Sequence, residues 1–185
     1  MGMRSRMTMI CLLLAGAQAL RGQSVRAVPK VDLPSFTGTW YEVARYADKR
    51  EKECVGDVFM LIALADKPNR FQLVNSCKTK TGYTDTNNGN GRTQDKSGDG
   101  KLKVTYIWPF SKKFWVLAVG PGYEWSLVGN PNHKDLRVLA RTTTMKPEVL
   151  AEIKAKAAAQ GFPVGKLVMT PQTPRQVARR ESRQP

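Results

Sequence analysis

From Gly38 onward, short apolar bursts alternate with clusters of Gly, Pro, Asn and Asp. The segments TWYEVARY, DVFMLIALA, RFQLVNSCK, LKVTYIWPF, FWVLAVG, EWSLVG and LRVLART are rich in Val, Leu, Phe, Tyr or Trp. DKPN, SGDG, PGY and NPNHKD separate some of them. Aromatic and β-branched bursts bounded by such turn residues predict antiparallel strands. The long polar run over 81–100 is expected to hide one more strand, around 91–96. About eight sequential strands in one domain must dispose of their edges. Closure into an up-and-down barrel does so, and such a barrel can hold one small ligand. A two-sheet sandwich is the alternative architecture.

At Pro147 the period changes. Val149, Leu150, Ile153 and Ala157 share one face of a helix predicted over 147–160. Pro147 suits its first turn and Gly161 its C-terminal cap. One helix after the strands favours the barrel, because it can pack on the outer wall. A last strand is expected near 166–170. Residues 20–35 are polar and Pro-punctuated and read as a lead-in arm. From 173 to 185 the chain is basic and expected to be disordered.

The N-terminus modifies this picture. Arg4 and Arg6 precede an apolar run, and Ala17, Gln18 and Ala19 form an A-x-A site. This is the layout of a secretory signal peptide over 1–19. The run is short for a bilayer span. Export to the periplasm or medium is therefore expected. Cys11 lies inside the apolar run rather than at the cleavage point, so no lipid anchor is expected. Cleavage leaves Cys54 and Cys77, and two cysteines in an exported chain are usually a disulfide. A metal pair or a reactive thiol is the alternative, but with the one histidine, His133, they make a poor zinc site.

The 185-residue chain carries a formal charge of +15. Such a charge fits nucleic acid, an anionic membrane surface, or a plain basic protein. The basic residues are spread along the chain, with one dense group at Arg175, Arg179, Arg180 and Arg183. That spread argues against a nucleic-acid partner and leaves peripheral contact with an anionic membrane. The run from Asp95 starts like a calcium loop, but Tyr106 occupies the position that needs a bidentate Glu. No phosphate loop, G-x-S-x-G or catalytic triad is present.

The sequence resembles the lipocalins, and among them the bacterial lipocalin and apolipoprotein D-like branch. The resemblance rests on GTWYEVAR at 38–45, WPFSKKFWVLAVG at 108–120, PGYEWSLVGNP at 121–131, LRVLARTTTM at 136–145 and GFPVGKLVMTPQ at 161–172. It covers residues 33–172. It implies an eight-stranded barrel over 36–172 with a C-terminal helix, no cofactor, and a small hydrophobic partner such as a fatty acid or lysophospholipid. It implies a monomer or homodimer with a role in envelope lipid maintenance. Gly38, Trp40, Tyr123 and Arg141 carry the family's structural motif. Gly38 would turn the chain into the barrel floor and Trp40 would plug it. Arg141 would lay its guanidinium on the indole, worth about 0.5–2 kcal/mol, and tie down backbone carbonyls. The family's Thr-Asp-x-Tyr turn appears here as Gly120-Pro121-Gly122-Tyr123. Cys54 and Cys77 resemble a pair that bridges the second and third strands in some bacterial members.

Strand parity anchored by the resemblance gives a candidate ligand-facing set: Glu42, Tyr46, Met60, Ile62, Phe71, Leu73, Asn75, Leu102, Val104, Tyr106, Phe114, Val116, Ala118 and Leu127. The second strand is apolar at both parities, so its facing could be reversed. In the eighth strand plain alternation buries Leu136, Val138 and Ala140. The register that brings Arg141 under Trp40 instead turns Arg137 and Leu139 inward. Arg137 would then meet an anionic head group near the mouth, its fork suiting a carboxylate or phosphate; the alternative is an exposed arginine. A few barrels of this kind isomerise or de-epoxidise their ligands. That needs a free thiol or paired acids, so a binder rather than an enzyme is expected. An envelope interaction protein acting through its basic surface is a further alternative.

Overall fold

The computed structural model describes residues 24–48, 53–94 and 98–173. The expected signal peptide (1–19) and all but the first residue of the expected tail (173–185) lie outside the described residues. Eight strands run in sequence: β1 (Gly38–Tyr46), β2 (Cys54–Leu64), β3 (Arg70–Thr79), β4 (Thr84–Thr93), β5 (Lys101–Ile107), β6 (Phe110–Val119), β7 (Trp125–Gly129) and β8 (Leu136–Ala140). Each pairs antiparallel with the next, and β1 pairs with both β2 and β8, which closes the barrel. The sandwich alternative is thereby excluded. A four-residue helix α1 (Leu33–Phe36) precedes β1, and helix α2 (Pro147–Ala158) and a short strand β9 (Leu167–Met169) follow β8.

The hidden strand begins earlier than the sequence suggests. β4 reads TDTNNGNGRT and contains no large apolar residue. It is held by a continuous register against β3, from Arg70↔Arg92 to Lys78↔Thr84. Its glycines accept their neighbours' bulk. A Cβ on Gly91 would lie 2.1 Å from the Phe71 ring, and one on Gly89 would lie 2.7 Å from Val104. The aromatic thus fills space that a side chain on β4 would otherwise need.

Two apolar cores lie on opposite faces of the barrel wall. The inner one joins Trp40, Met60, Ile62, Phe71, Leu73, Leu102, Val104, Val116, Val128 and Leu139. The outer one joins Leu136, Val138, Ala140 and Trp125 to Ile153 and Ala157 of α2. This resolves the eighth-strand conflict. β8 is buried on both faces, Leu136, Val138 and Ala140 under the helix and Leu139 inside. Helix α2 presents the predicted face, and Gly161, at φ +80°, turns the chain after it. His133 serves this packing. Its Nε2 lies 2.8 Å from the Gln160 carbonyl, and its ring is 4.6 Å from that of Phe162.

The lead-in arm is part of the fold from Val25 on. The Val28 amide donates to the Val116 carbonyl at 2.8 Å, and Val31 is buried in the inner core. After β9 the chain wedges between β1 and the upper part of β2. The Asp57 amide donates to the Pro171 carbonyl, and Gln172 Nε2 donates to the carbonyls of Glu42 and Val58 at 2.9 and 2.7 Å. Cys54 and Cys77 form a disulfide across β2 and β3 at the same end.

Candidate functional site

One end of the barrel is shut by its own side chains. Trp40 is fully buried and donates from Nε1 to the Phe36 carbonyl at 2.9 Å. The Arg141 guanidinium lies 3.7 Å from the indole centroid. Its Nη1, Nη2 and Nε donate to the carbonyls of Thr39, Ser35 and Tyr123 at 2.9, 2.8 and 3.2 Å. Desolvation lowers the Arg141 pKa from its ordinary value. Gly38 takes φ +92°, and a Cβ there would sit 3.3 Å from Arg141 Nη1. The glycine is required by both its backbone conformation and this contact. Tyr123 also takes positive φ, after Gly122 in the same turn. Its hydroxyl accepts from the Asp32 amide at 2.9 Å, and its ring meets Phe36 edge-on.

Above this floor the lower barrel is filled. Ile62, Phe71, Leu73, Leu102, Val116 and Leu139 are all buried in the inner core. The open space lies at the other end, where a cavity of about 330 Å³ is bounded by the start of β2, β4 and β6 and the end of β1, β3 and β5. Of the candidate set, Met60, Asn75, Val104, Tyr106, Phe114 and Arg137 line it.

Three members of that set belong elsewhere. Tyr46, Ala118 and Leu127 pack with the outer, helix-side core. A register shift between Glu42 and Ala44 reverses the end of β1, so Arg45 rather than Tyr46 lines the cavity. A second shift between Val116 and Ala118 sends Ala118 outward and Val119 inward. Each bulge adds one residue and inverts the facing beyond it. Leu127 lies opposite Val138, which faces the helix, and Val128 takes the inward position.

The upper cavity is more polar than the candidate set implies. Asp85 and Asn87 of β4 line it, along with Arg45, Lys112, Lys113, Asp48, Glu53 and Asp135. None of these was among the candidates. The register of β4 against β3 identifies Asp85 and Asn87, which stand opposite Cys77 and Asn75, but a strand without apolar residues carries no parity signal of its own. Asn75 Nδ2 donates to the Tyr106 hydroxyl at 2.7 Å, and Lys112 Nζ lies 5.4 Å from the centre of the same ring.

Glu42 is almost completely buried. It accepts from Arg137 Nη1 at 2.7 Å and from the Thr170 hydroxyl at 2.7 Å, and Arg45 Nε lies 3.5 Å away. Arg137 Nε also lies 3.5 Å from Asp135. Arg137 is therefore neither an isolated cation nor an exposed arginine; it is a half-buried member of an ion-pair group at the cavity wall. The thiol that an isomerase-type mechanism would need is absent at Cys54 and Cys77, because their sulfurs are bonded to each other. Among the described residues no group of three or more His, Cys, Asp or Glu is placed to hold a metal.

A family model described as a lipocalin-like domain matches residues 31–172. Temperature-induced lipocalin-1 of Arabidopsis thaliana is 26% identical over 178 residues, covering 82% of this chain and 84% of that protein. Outer membrane lipoprotein Blc of Escherichia coli K12 is 28% identical over 161 residues, covering 87% of this chain and 90% of that protein. Among solved structures, insecticyanin from the tobacco hornworm Manduca sexta superposes with a TM-score of 0.65 at 17% identity, over 80% of this chain and 85% of that one. The last likeness concerns the fold alone.

Proposed function

The chain belongs to the lipocalin-like family, and on that premise we propose that it is an exported carrier for a small amphiphile, a fatty acid or a lysophospholipid. The observation that carries this reading is the lining of the open cavity. Met60, Val58, Val104 and Phe114 offer apolar surface, while Arg45, Lys112 and Arg137 stand near Asp48, Asp85 and Asp135. A cavity that combines an apolar wall with polar and charged groups suits one ligand with a tail and a head. Charges of both signs suit a zwitterionic head better than a lone carboxylate, so the reading favours a lysophospholipid over a free fatty acid. Arg137 supplies a cation to the head-group phosphate, its orientation set by Glu42.

Export and a role in the upkeep of envelope lipids are supported by the disulfide, which persists in oxidising compartments, and by the relatives named as outer membrane lipoproteins. Carriage rather than catalysis is supported by the bonded sulfurs and by the engagement of Glu42, the one acid singled out from the sequence, with two arginines.

Displacement of a fluorescent fatty acid from the purified protein tests the reading. Lysophosphatidylcholine is expected to compete at lower concentration than palmitate, and Arg137→Leu is expected to weaken the lysolipid about tenfold, the loss of one charged hydrogen bond. If neither lipid displaces the probe, the carrier reading fails. An unchanged affinity in Arg137→Leu removes that residue from head-group recognition.

A further inference from the structure

Among the described residues, the most exposed large apolar side chains lie at the cavity end. The β5–β6 hairpin turns through Ile107, Trp108, Pro109 and Phe110, and Trp108 is 86% exposed, with Ile107 at 74% and Phe110 at 77%. Next along the barrel rim, the β3–β4 hairpin carries Tyr83, also 77% exposed. Three large apolar side chains in four positions, held out in water at a hairpin tip, forgo the burial free energy that the fold gains elsewhere, as apolar patches at interaction sites do. Trp and Phe at such a tip are the side chains that settle at a membrane–water interface.

The charge of the hairpin specifies the surface. From Lys101 to Val119 the two strands and their turn contain four lysines and no acidic residue. Lys112 and Lys113, two and three residues past Phe110, are exposed. Lysines just behind an apolar tip fall at the depth of the lipid head groups, where each gains about 1 kcal/mol from an anionic leaflet. A protein partner would be expected to cover this tip with acidic groups arranged for it. A bilayer needs only the combination present here, an apolar point backed by positive charge.

The same two strands build the cavity. Val104 and Tyr106 lead up to the tip, and Lys112 and Phe114 lead down from it into the lining. We propose that the β5–β6 hairpin tip, Ile107 to Phe110, inserts into the interface of an anionic lipid bilayer and sets the cavity mouth against it. A lipid could then pass between bilayer and barrel without its chain crossing open water. The docking stands on the tip itself; the transfer rests on the carrier reading above.

Tryptophan fluorescence isolates the event. Trp40 and Trp125 are buried and Trp115 is half-buried, so Trp108 alone among the four is fully open to a bilayer. Vesicles of phosphatidylcholine with phosphatidylglycerol are expected to shift the emission to the blue, and Trp108→Phe is expected to abolish the shift while the protein still floats with the vesicles. Trp108→Ser with Phe110→Ser is expected to lower vesicle binding at least about tenfold, from the lost burial of two aromatic side chains. Vesicles of phosphatidylcholine alone are expected to bind more weakly. A shift that persists in Trp108→Phe, or flotation unchanged in the double Ser variant, overturns the proposal. So does a wild-type protein that floats with neither vesicle, which would leave a second copy or another protein as the occupant of the tip. The double Ser variant is expected to keep wild-type affinity for the soluble fluorescent fatty acid, so a failure of docking is distinguishable from a failure of the cavity.

Discussion

The Arg141 guanidinium lies over Trp40, 3.7 Å from the indole centroid, while its nitrogens reach three carbonyls on three separate segments: α1, β1 and the β6–β7 turn. One side chain therefore ties together pieces of backbone that are far apart in sequence. Lysine keeps the charge but not the planar fork. Arg141→Lys is expected to cost about 2 kcal/mol, from lost charge-assisted hydrogen bonds and stacking. Trp40→Ala should cost about 3–5 kcal/mol. Urea unfolding monitored by far-ultraviolet circular dichroism measures both. A Trp40→Ala protein that unfolds with the wild type would show that the floor bears no stability.

Gly91 is the second test, because it asks whether a polar strand is held by what it lacks. A methyl at Gly91 would collide with the Phe71 ring at 2.1 Å. Gly91→Ala is expected to destabilise the barrel by about 1–3 kcal/mol, the usual range for overpacking. Adding Phe71→Leu should recover part of that loss, so the double-mutant cycle should give a favourable coupling. Additive losses would mean that the ring moves aside freely.

Tyr46 gives a prediction with a pH signature. Its hydroxyl is buried in the helix-side core without a hydrogen-bond partner, and burial pushes its pKa up to about 12. An unfolded tyrosine ionises near pH 10. Between these values the unfolded chain has released a proton that the folded one keeps, so stability falls as pH rises from about 10 towards 12. Tyr46→Phe removes both the alkaline loss and the buried polar atom. It is expected to be neutral or slightly stabilising at pH 7 and clearly more stable than wild type at pH 11. Thermal melts at the two pH values decide it; a variant that loses stability at pH 7 would mean that the hydroxyl has a partner.

The strand order, the helix and the floor were legible because each has a local signal. Period-two bursts mark the strands, Pro147 and Gly161 bracket the helix, and the Gly38–Trp40 pair marks the floor. The cavity was less legible, and the reasons are particular. Alternation turns Tyr46 and Ala118 inward, but alternation holds only until a bulge, and the extra residues, Val43 and Leu117, are apolar like the strand positions beside them and leave no trace. Asp85 and Asn87 belong to a strand that pairs without apolar residues, so pattern reading placed it late. Val28 and Val31 looked like a polar arm because two valines among prolines and lysines carry no period. Each of these features is fixed by a partner distant in sequence.

The pairing of β1 with β8 and β9 sets an order of events. Strand β1 is the first of the barrel to be synthesised, yet its partners include β8, β9, Thr170 and Gln172. Apart from its bonds to β2, its hydrogen bonds therefore wait on residues made 92 to 130 positions later. Pairings that distant are slow to form. A ribosome still translating this chain holds an incomplete ring, an open state compatible with the export proposed above.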